Sequence, residues 1–192
     1  MVGMDETVCV ARAIDGDISA FDELVERYQK PVYNLAYRML SNASDAEDAV
    51  QETFLRAFAK LGSYQETRKF GTWLLSITSH WCIDRIRRRK VISLEFLPDI
   101  SLVGGLSDGP ETEVIAHEHI SEVQRWLGML PQAYRLVIVL RYWQDLSYNE
   151  IADVTGLPAS TVRMRLFRAR RLLAAAYEQA TQRPQPAAAL AS

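Results

Sequence analysis

The sequence predicts an all-α protein: two small helical domains joined by a flexible linker, the second with a helix-turn-helix. Three observations predict it. Apolar residues recur at three- and four-residue steps over most of the chain, and no segment alternates cleanly as a strand would. Capping boxes, Ser followed three residues later by Glu, stand at Ser44–Glu47 and Ser147–Glu150. Between the two helical blocks, residues 91–112 carry Pro98, Gly104, Gly105, Gly109 and Pro110 without a helical stripe, the composition of a linker.

Taken in order, the first block opens with Phe21, Leu24, Val25 and Tyr28, then Val32, Leu35, Ala36 and Met39, two apolar runs at helical spacing. Pro31 lies between them, where the first turn of a helix tolerates proline. The Ser44 box opens a helix to about Leu61 with Val50, Phe54, Ala57, Phe58 and Leu61 on one face, and Gly62-Ser63 stops it. A polar loop, 63–69, precedes a long helix from Phe70 to about Lys90. Its Trp73, Ile77 and Trp81 read as a core stripe rather than a stacking platform. The second block starts near Glu113 and breaks at Leu130-Pro131, at 145–147 and at 155–158. There Ser147 caps a short helix with Ile151, Ala152 and Val154 buried, Gly156 makes a turn, and Ser160 caps a second helix with Leu157, Val162, Leu166, Leu172 and Leu173 in the core. The boundaries are 1–90, 91–112, 113–180, and a disordered tail at 181–192.

Composition excludes several classes. The 192 residues are 48% hydrophobic and 24% charged, ordinary for a soluble globular chain. Two cysteines, Cys9 and Cys82, are too few for a disulfide scaffold or a Cys-rich zinc site and suit a reducing cytoplasm. The start lacks a signal-peptide pattern, and no stretch has the length and apolarity of a membrane span. His80, Cys82 and Asp84 share one helix but lack further ligands nearby, no Gly-rich phosphate loop is present, and no enzyme active site is legible. No metal and no cofactor are expected.

The net charge of −2 hides a segregated pattern. Residues 1–60 are acidic and 84–90, DRIRRRK, basic; 91–118 hold acids and no base; 159–173 hold Arg163, Arg165, Arg168, Arg170 and Arg171 and no acid. Separate basic blocks in a near-neutral chain imply two anion-binding faces. The bland alternative is a pair of solvated helix faces, but the last run has no acidic partner on its own helix to pair with. In a helix-turn-helix the second helix enters the major groove. Ser160, Thr161, Arg163 and Met164 occupy its leading turn, with Arg163 suited to guanine, while Arg168 and Arg171 suit phosphate.

Three segments carry a family resemblance. SDAEDAVQETFLRAFAKL (44–61) is similar to the polymerase-binding helix of bacterial sigma factors. FGTWLLSITSHWCIDRIRRRK (70–90) resembles their −10 promoter-recognition helix. LPQAYRLVIVLRYWQDLSYNEIADVTGLPASTVRMRLFRARRLL (130–173) resembles their −35 reader. The order is the family's, and the short spacing matches the compact extracytoplasmic-function (ECF) subfamily. The chain departs from the usual pattern at His80, Asp145, Ser160 and Met164, which bears on the promoter sequence rather than the class.

The resemblance implies a cytoplasmic, non-enzymatic protein that binds core RNA polymerase and directs promoter-specific transcription initiation, in response to stress or an envelope signal. An anti-sigma factor is a family expectation. Core polymerase contacts would come from Asp45, Asp48, Gln51, Glu52 and Phe54. Melted −10 DNA would meet Tyr64, Arg68, Lys69, His80, Asp84, Arg85, Arg87, Arg88 and Arg89, with a flipped base held by the 63–69 loop. Duplex −35 DNA would meet Ser160, Thr161, Arg163, Met164, Arg165, Phe167, Arg168 and Arg171. Two rivals stay open on sequence alone: a stand-alone helix-turn-helix regulator and an RNA-binding antiterminator. The acidic linker, at most about 75 Å long when extended, either lies in a basic channel or is a plain tether.

Overall fold

The computed structural model describes residues 5–65, 67–96 and 114–182. Among them are eight α-helices and no strand: α1 (Glu6–Ile14), α2 (Ile18–Leu40), α3 (Ala43–Lys60), α4 (Phe70–Phe96), α5 (Val114–Met129), α6 (Gln132–Tyr142), α7 (Tyr148–Thr155) and α8 (Ala159–Gln182). A short 3-10 turn, Leu61–Ser63, follows α3 where Gly62-Ser63 was expected to end it.

Several boundaries differ from the sequence reading. The two apolar runs around Pro31 form one helix, with Pro31 inside α2 rather than in a first turn. The cap of α3 is Asn42, whose side chain accepts from the Asp45 amide; Ser44 already lies inside the helix. The helix α4 continues to Phe96, past the expected linker start. The rest of that linker, and the tail beyond Gln182, lie outside the described residues. The second helix of the helix-turn-helix begins at Ala159, and the Pro158 carbonyl accepts the first amides, from Thr161 and Val162, so Ser160 is not its cap. The Ser147 box is present in both directions, and Gly156 ends α7 at φ 68°, a left-handed position that favours glycine.

In the first module α1–α4 bury Cys9, Leu24, Phe70 and Leu74. The Thr53 hydroxyl donates to Thr78 between α3 and α4, both fully buried. The buried side of α4 is Phe70, Leu74, Thr78 and Cys82, whereas the expected Trp73, Ile77 and Trp81 stripe is only half-buried. Phe58 and Leu172, read as core, are exposed.

The second module packs directly on the first. Leu35, Met39, Leu75 and Cys82 share one apolar core with Leu127, Leu136, Leu140, Ile151 and Leu166. The last carbonyls of a helix lack intrahelical donors, and here α2 receives them from the other module. Gln124 lies 2.8–3.1 Å from the Tyr37 and Arg38 carbonyls and the Ser41 hydroxyl. Arg135 donates to the Met39 carbonyl at 2.7 Å. Gln144 donates to the Pro31 carbonyl, and the Arg38 guanidinium stacks 4.2 Å over the Trp143 ring.

Candidate nucleic-acid interface

The exposed side of α3 is a mixed stripe. Asp48, Gln51, Leu55 and Phe58 follow at three- and four-residue steps and are all exposed, Leu55 at 68%. Glu52 is half-buried and pairs with Arg56 at 2.7 Å. A groove of about 660 Å³ runs beside this stripe, between α2 and α3, with Lys30, Tyr33, Glu47 and Gln51 on its walls. Two residues expected to contact polymerase are buried instead. Phe54 is buried edge-on against Phe21, with ring centroids 6.4 Å apart, because position 54 falls on the apolar side of the helix. Asp45 is also buried, 4% exposed, and a buried carboxylate needs partners. It has two, both from α4: Arg85 at 2.9 Å, and Arg89. The loss of hydration is offset by a paired carboxylate tying α3 to α4.

The far half of α4 therefore presents its bases unequally. Arg87 and Arg88 are exposed; Arg85 and Arg89 are half-exposed but anchored on Asp45, and the Arg85 guanidinium lies 5.9 Å from the Trp81 ring. Asp84 and His80 are exposed, and His80 Nδ1 donates to the Ser76 carbonyl at 2.6 Å. His80 also borders a 240 Å³ cavity between the modules, with Ser79 and Ile83 on one side and Leu136, Leu157 and Arg165 on the other. Among the described residues no cluster of His, Cys, Asp and Glu is arranged for a metal. Burial, with the charge of Asp45 adding to it, pushes the Cys82 thiol up to about 12. A thiol so raised is inert, as expected of a core cysteine.

Before α4, the loop folds back on itself. Tyr64 packs on Phe70 and Trp73, with centroids 5.7 and 5.1 Å away, and its hydroxyl donates to the Arg68 carbonyl. Arg68 and Lys69 are exposed. The Lys69 ammonium reaches the second module and pairs with Glu150 at 2.8 Å. That bond, together with the Ser147 amide donating to the same carboxylate, holds the Glu150 carboxyl at about 2.

In the second module Ser160, Arg163, Met164, Phe167, Arg168 and Arg171 are exposed along α8, and Thr161 and Arg165 are half-buried. Val162, Leu166 and Ala169 seat the opposite side. Among the described residues no acid pairs with the α8 arginines; Arg163 lies 5.9 Å from the Tyr148 ring, Arg171 lies 5.8 Å from Phe167, and Arg170 donates to the Tyr142 hydroxyl. Local spacing did not reveal Gln124 and Arg135, whose partners on α2 and its end are 80 or more positions away, or α1, which closes one side of the loop.

A helical module with a basic helix and loop, followed by a helix-turn-helix with a solvent-facing arginine stripe, defines a sigma factor. Residues 24–91 match the family "Sigma-70 region 2" and residues 120–173 match "Sigma-70, region 4". The chain belongs to the ECF RNA polymerase sigma factors. It is 39% identical over 168 residues to the ECF RNA polymerase sigma factor SigW of Bacillus subtilis, covering 82% of this chain and 89% of that one. It is 34% identical to the ECF RNA polymerase sigma-E factor of Escherichia coli, over 87% and 91% of the two chains. Among solved structures it resembles CnrH in complex with the cytosolic domain of CnrY, at TM-score 0.71 and 28% identity over 91% of this chain and 99% of that one. The fold is also that of the sigma factor RpoE in complex with the anti-sigma factor NepR from Bartonella quintana, at TM-score 0.65 and 22% identity, over 82% of this chain and 96% of that one. The protein directs transcription initiation, with core RNA polymerase and promoter DNA as its partners. No described helix is long and apolar enough to cross a membrane.

Proposed function

We propose that the two modules, 1–90 and 113–180, divide promoter recognition between melted and duplex DNA. The first docks on core polymerase through Asp48, Gln51 and Glu52. Exposed Leu55 and Phe58 extend the same stripe and supply apolar area that the sequence reading had not assigned to docking. The 64–69 loop takes a base from the melted −10 strand, and Arg85, Arg87, Arg88 and Arg89 hold its backbone. The second module reads the −35 duplex: Arg163 and Met164 reach base edges, and Arg168 and Arg171 grip phosphates.

The observation that carries this reading is the contrast in geometry. A base is captured only after it leaves the stack, which suits a loop beside a cavity. A rigid helix with exposed arginines suits a groove. Asp45 does not touch polymerase in this scheme; it positions Arg85 and Arg89 from the docking helix. Because His80 and Lys69 face the second module, −10 engagement requires that module to swing off α4.

The protein acts in the cytoplasm, is not an enzyme, and responds to stress or an envelope signal through an anti-sigma factor. The complexes of CnrH and RpoE with their partners support the last point by similarity. Run-off transcription with and without core polymerase tests the proposal. A start-specific transcript is expected only when this chain and core polymerase are both present. Site-specific duplex binding by the chain alone, with no transcript when core polymerase is added, would favour the stand-alone regulator.

A further inference from the structure

We propose that Glu6 and Thr7 of α1 form the second wall of the −10 base pocket and select a base bearing an exocyclic amine, cytosine or adenine. The inference rests on reading the 64–69 loop as the base-capturing loop, and assigns base selection to a helix outside that loop.

A cavity of about 290 Å³ opens between α1 and the loop. That is just under the range of about 300 to 1,000 Å³ for drug-sized ligands, a size that suits one planar base. One side is apolar: Val10 and Phe70 are buried, and the Tyr64 ring stands against Phe70. The hydroxyl of Tyr64 is tied to the Arg68 carbonyl, which fixes the ring. Unstacked bases are held on such aromatic surfaces. The other side is polar and comes from α1, with Glu6 and Thr7 on the lining. Arg68 and Lys69 also border the cavity and are exposed, as phosphate-gripping groups must be.

The position of Glu6 is fixed from behind. The Tyr28 hydroxyl donates to its carboxylate. Tyr28 in turn lies across Gly71, where an added Cβ would come within 2.7 Å of the ring, and its ring centroid is 5.6 Å from that of Phe70. Tyr28 therefore ties the Glu6 carboxylate to the start of α4. An ionised carboxylate only accepts hydrogen bonds. It favours the amino groups of cytosine N4 and adenine N6 and repels the carbonyls of thymine O4 and guanine O6. A flipped base presents that edge bare. Thr7 can donate or accept and completes the polar wall.

The test uses full-length chain in holoenzyme and single-stranded non-template −10 oligonucleotides carrying each base, or an abasic site, at every melted position. Glu6→Gln keeps the volume and an acceptor for Tyr28 while replacing the carboxylate. At the position whose preference depends on Tyr64, the wild type is expected to favour cytosine or adenine. Glu6→Gln is expected to reduce that preference about tenfold, with abasic affinity unchanged; Tyr64→Ala is expected to reduce it as well. If Tyr64→Ala removes the preference and Glu6→Gln leaves it intact, the α1 assignment fails and the loop reading stands. If neither changes it, both fail. A wild-type preference for thymine or guanine, or an equal loss on abasic strands, would make Glu6 a structural partner of Tyr28 and overturn the proposal.

Discussion

The helices α4 and α8 are both long and arginine-rich, yet they hold their charges in opposite ways. In α4, Arg85 and Arg89 are anchored on a buried carboxylate from α3, and the helix is partly covered by the second module. In α8 the exposed arginines have no acidic partner among the described residues and point to solvent. An anchored guanidinium arrives at a target with its geometry already set but cannot move far. A free one adapts to a groove at a cost of about 2 kcal/mol or less in side-chain entropy. The anchored set lies beside the docking helix and the loop; the free set lies on the duplex reader. Under the proposed division of labour, polymerase docking and melted-DNA contact would be mechanically joined through Asp45, whereas the arginines proposed to read the −35 duplex have no such tie to α3.

The largest effects test whether the two helices share one core. Leu75→Ala in α4 and Leu166→Ala in α8 are each expected to cost about 2–5 kcal/mol, since both side chains are buried in that core. Denaturant unfolding followed by circular dichroism is expected to show one transition in both variants. Two separated transitions, each sensitive to only one substitution, would break the shared core.

The next effect sharpens the contrast on DNA. Arg163→Ala should lose about 1–3 kcal/mol and relax preference at one −35 base pair. Arg171→Ala should weaken all sequences alike and lower the salt slope by about one. Holoenzyme titrations on a panel of −35 variants at several salt concentrations measure both. A uniform loss in both mutants would contradict the register of α8.

Freeing the anchored set is expected to have a smaller effect. Asp45→Asn should cost about 1–2 kcal/mol, less than the 3–5 kcal/mol typical of a fully buried pair, because Arg85 and Arg89 are half in solvent. Thermal unfolding measures it, and melted −10 binding should fall more than −35 duplex binding.

The smallest expected effect is a pH dependence. The Glu150 carboxyl is depressed from 4.5 to about 2. A group lowered on folding contributes stability that is fully present above its unfolded value and is lost as pH falls through the folded one. Its contribution should therefore persist above pH 4.5 and fade toward pH 2. Glu150→Gln should flatten the acid limb of a stability profile over that window and leave stability changes above it pH-independent.

How much of this was legible in the sequence depended on distance along the chain. Ser147, Gly156 and the arginines of α8 were readable because cap, turn and helical face are decided within a few residues. The start of α3 was misplaced by two positions because Asn42 and Ser44 are both good caps, and only backbone geometry chooses between them. Pro31 was read as a helix start. It lies inside α2 because a helix packed along its length outweighs one missing donor, and its carbonyl is taken by Gln144. Asp45 looked like surface because its partners are about 40 residues away. The docking of one module on the other was illegible for the same reason: Gln124 and Arg135 serve carbonyls of α2 that no local pattern connects to them.

The division of labour is tested most directly by footprinting of holoenzyme on a selected promoter, with permanganate reading unpaired −10 thymines and DNase I reading −35 protection. The comparison is between wild type, a Tyr64→Ala/Arg68→Ala double variant and Arg163→Ala. The account predicts that the loop variant loses −10 thymine reactivity while −35 protection persists, and that Arg163→Ala needs more holoenzyme for −35 protection while melting is retained at saturating holoenzyme. Full −10 reactivity in the loop variant, or joint loss of both signals in each, would contradict it.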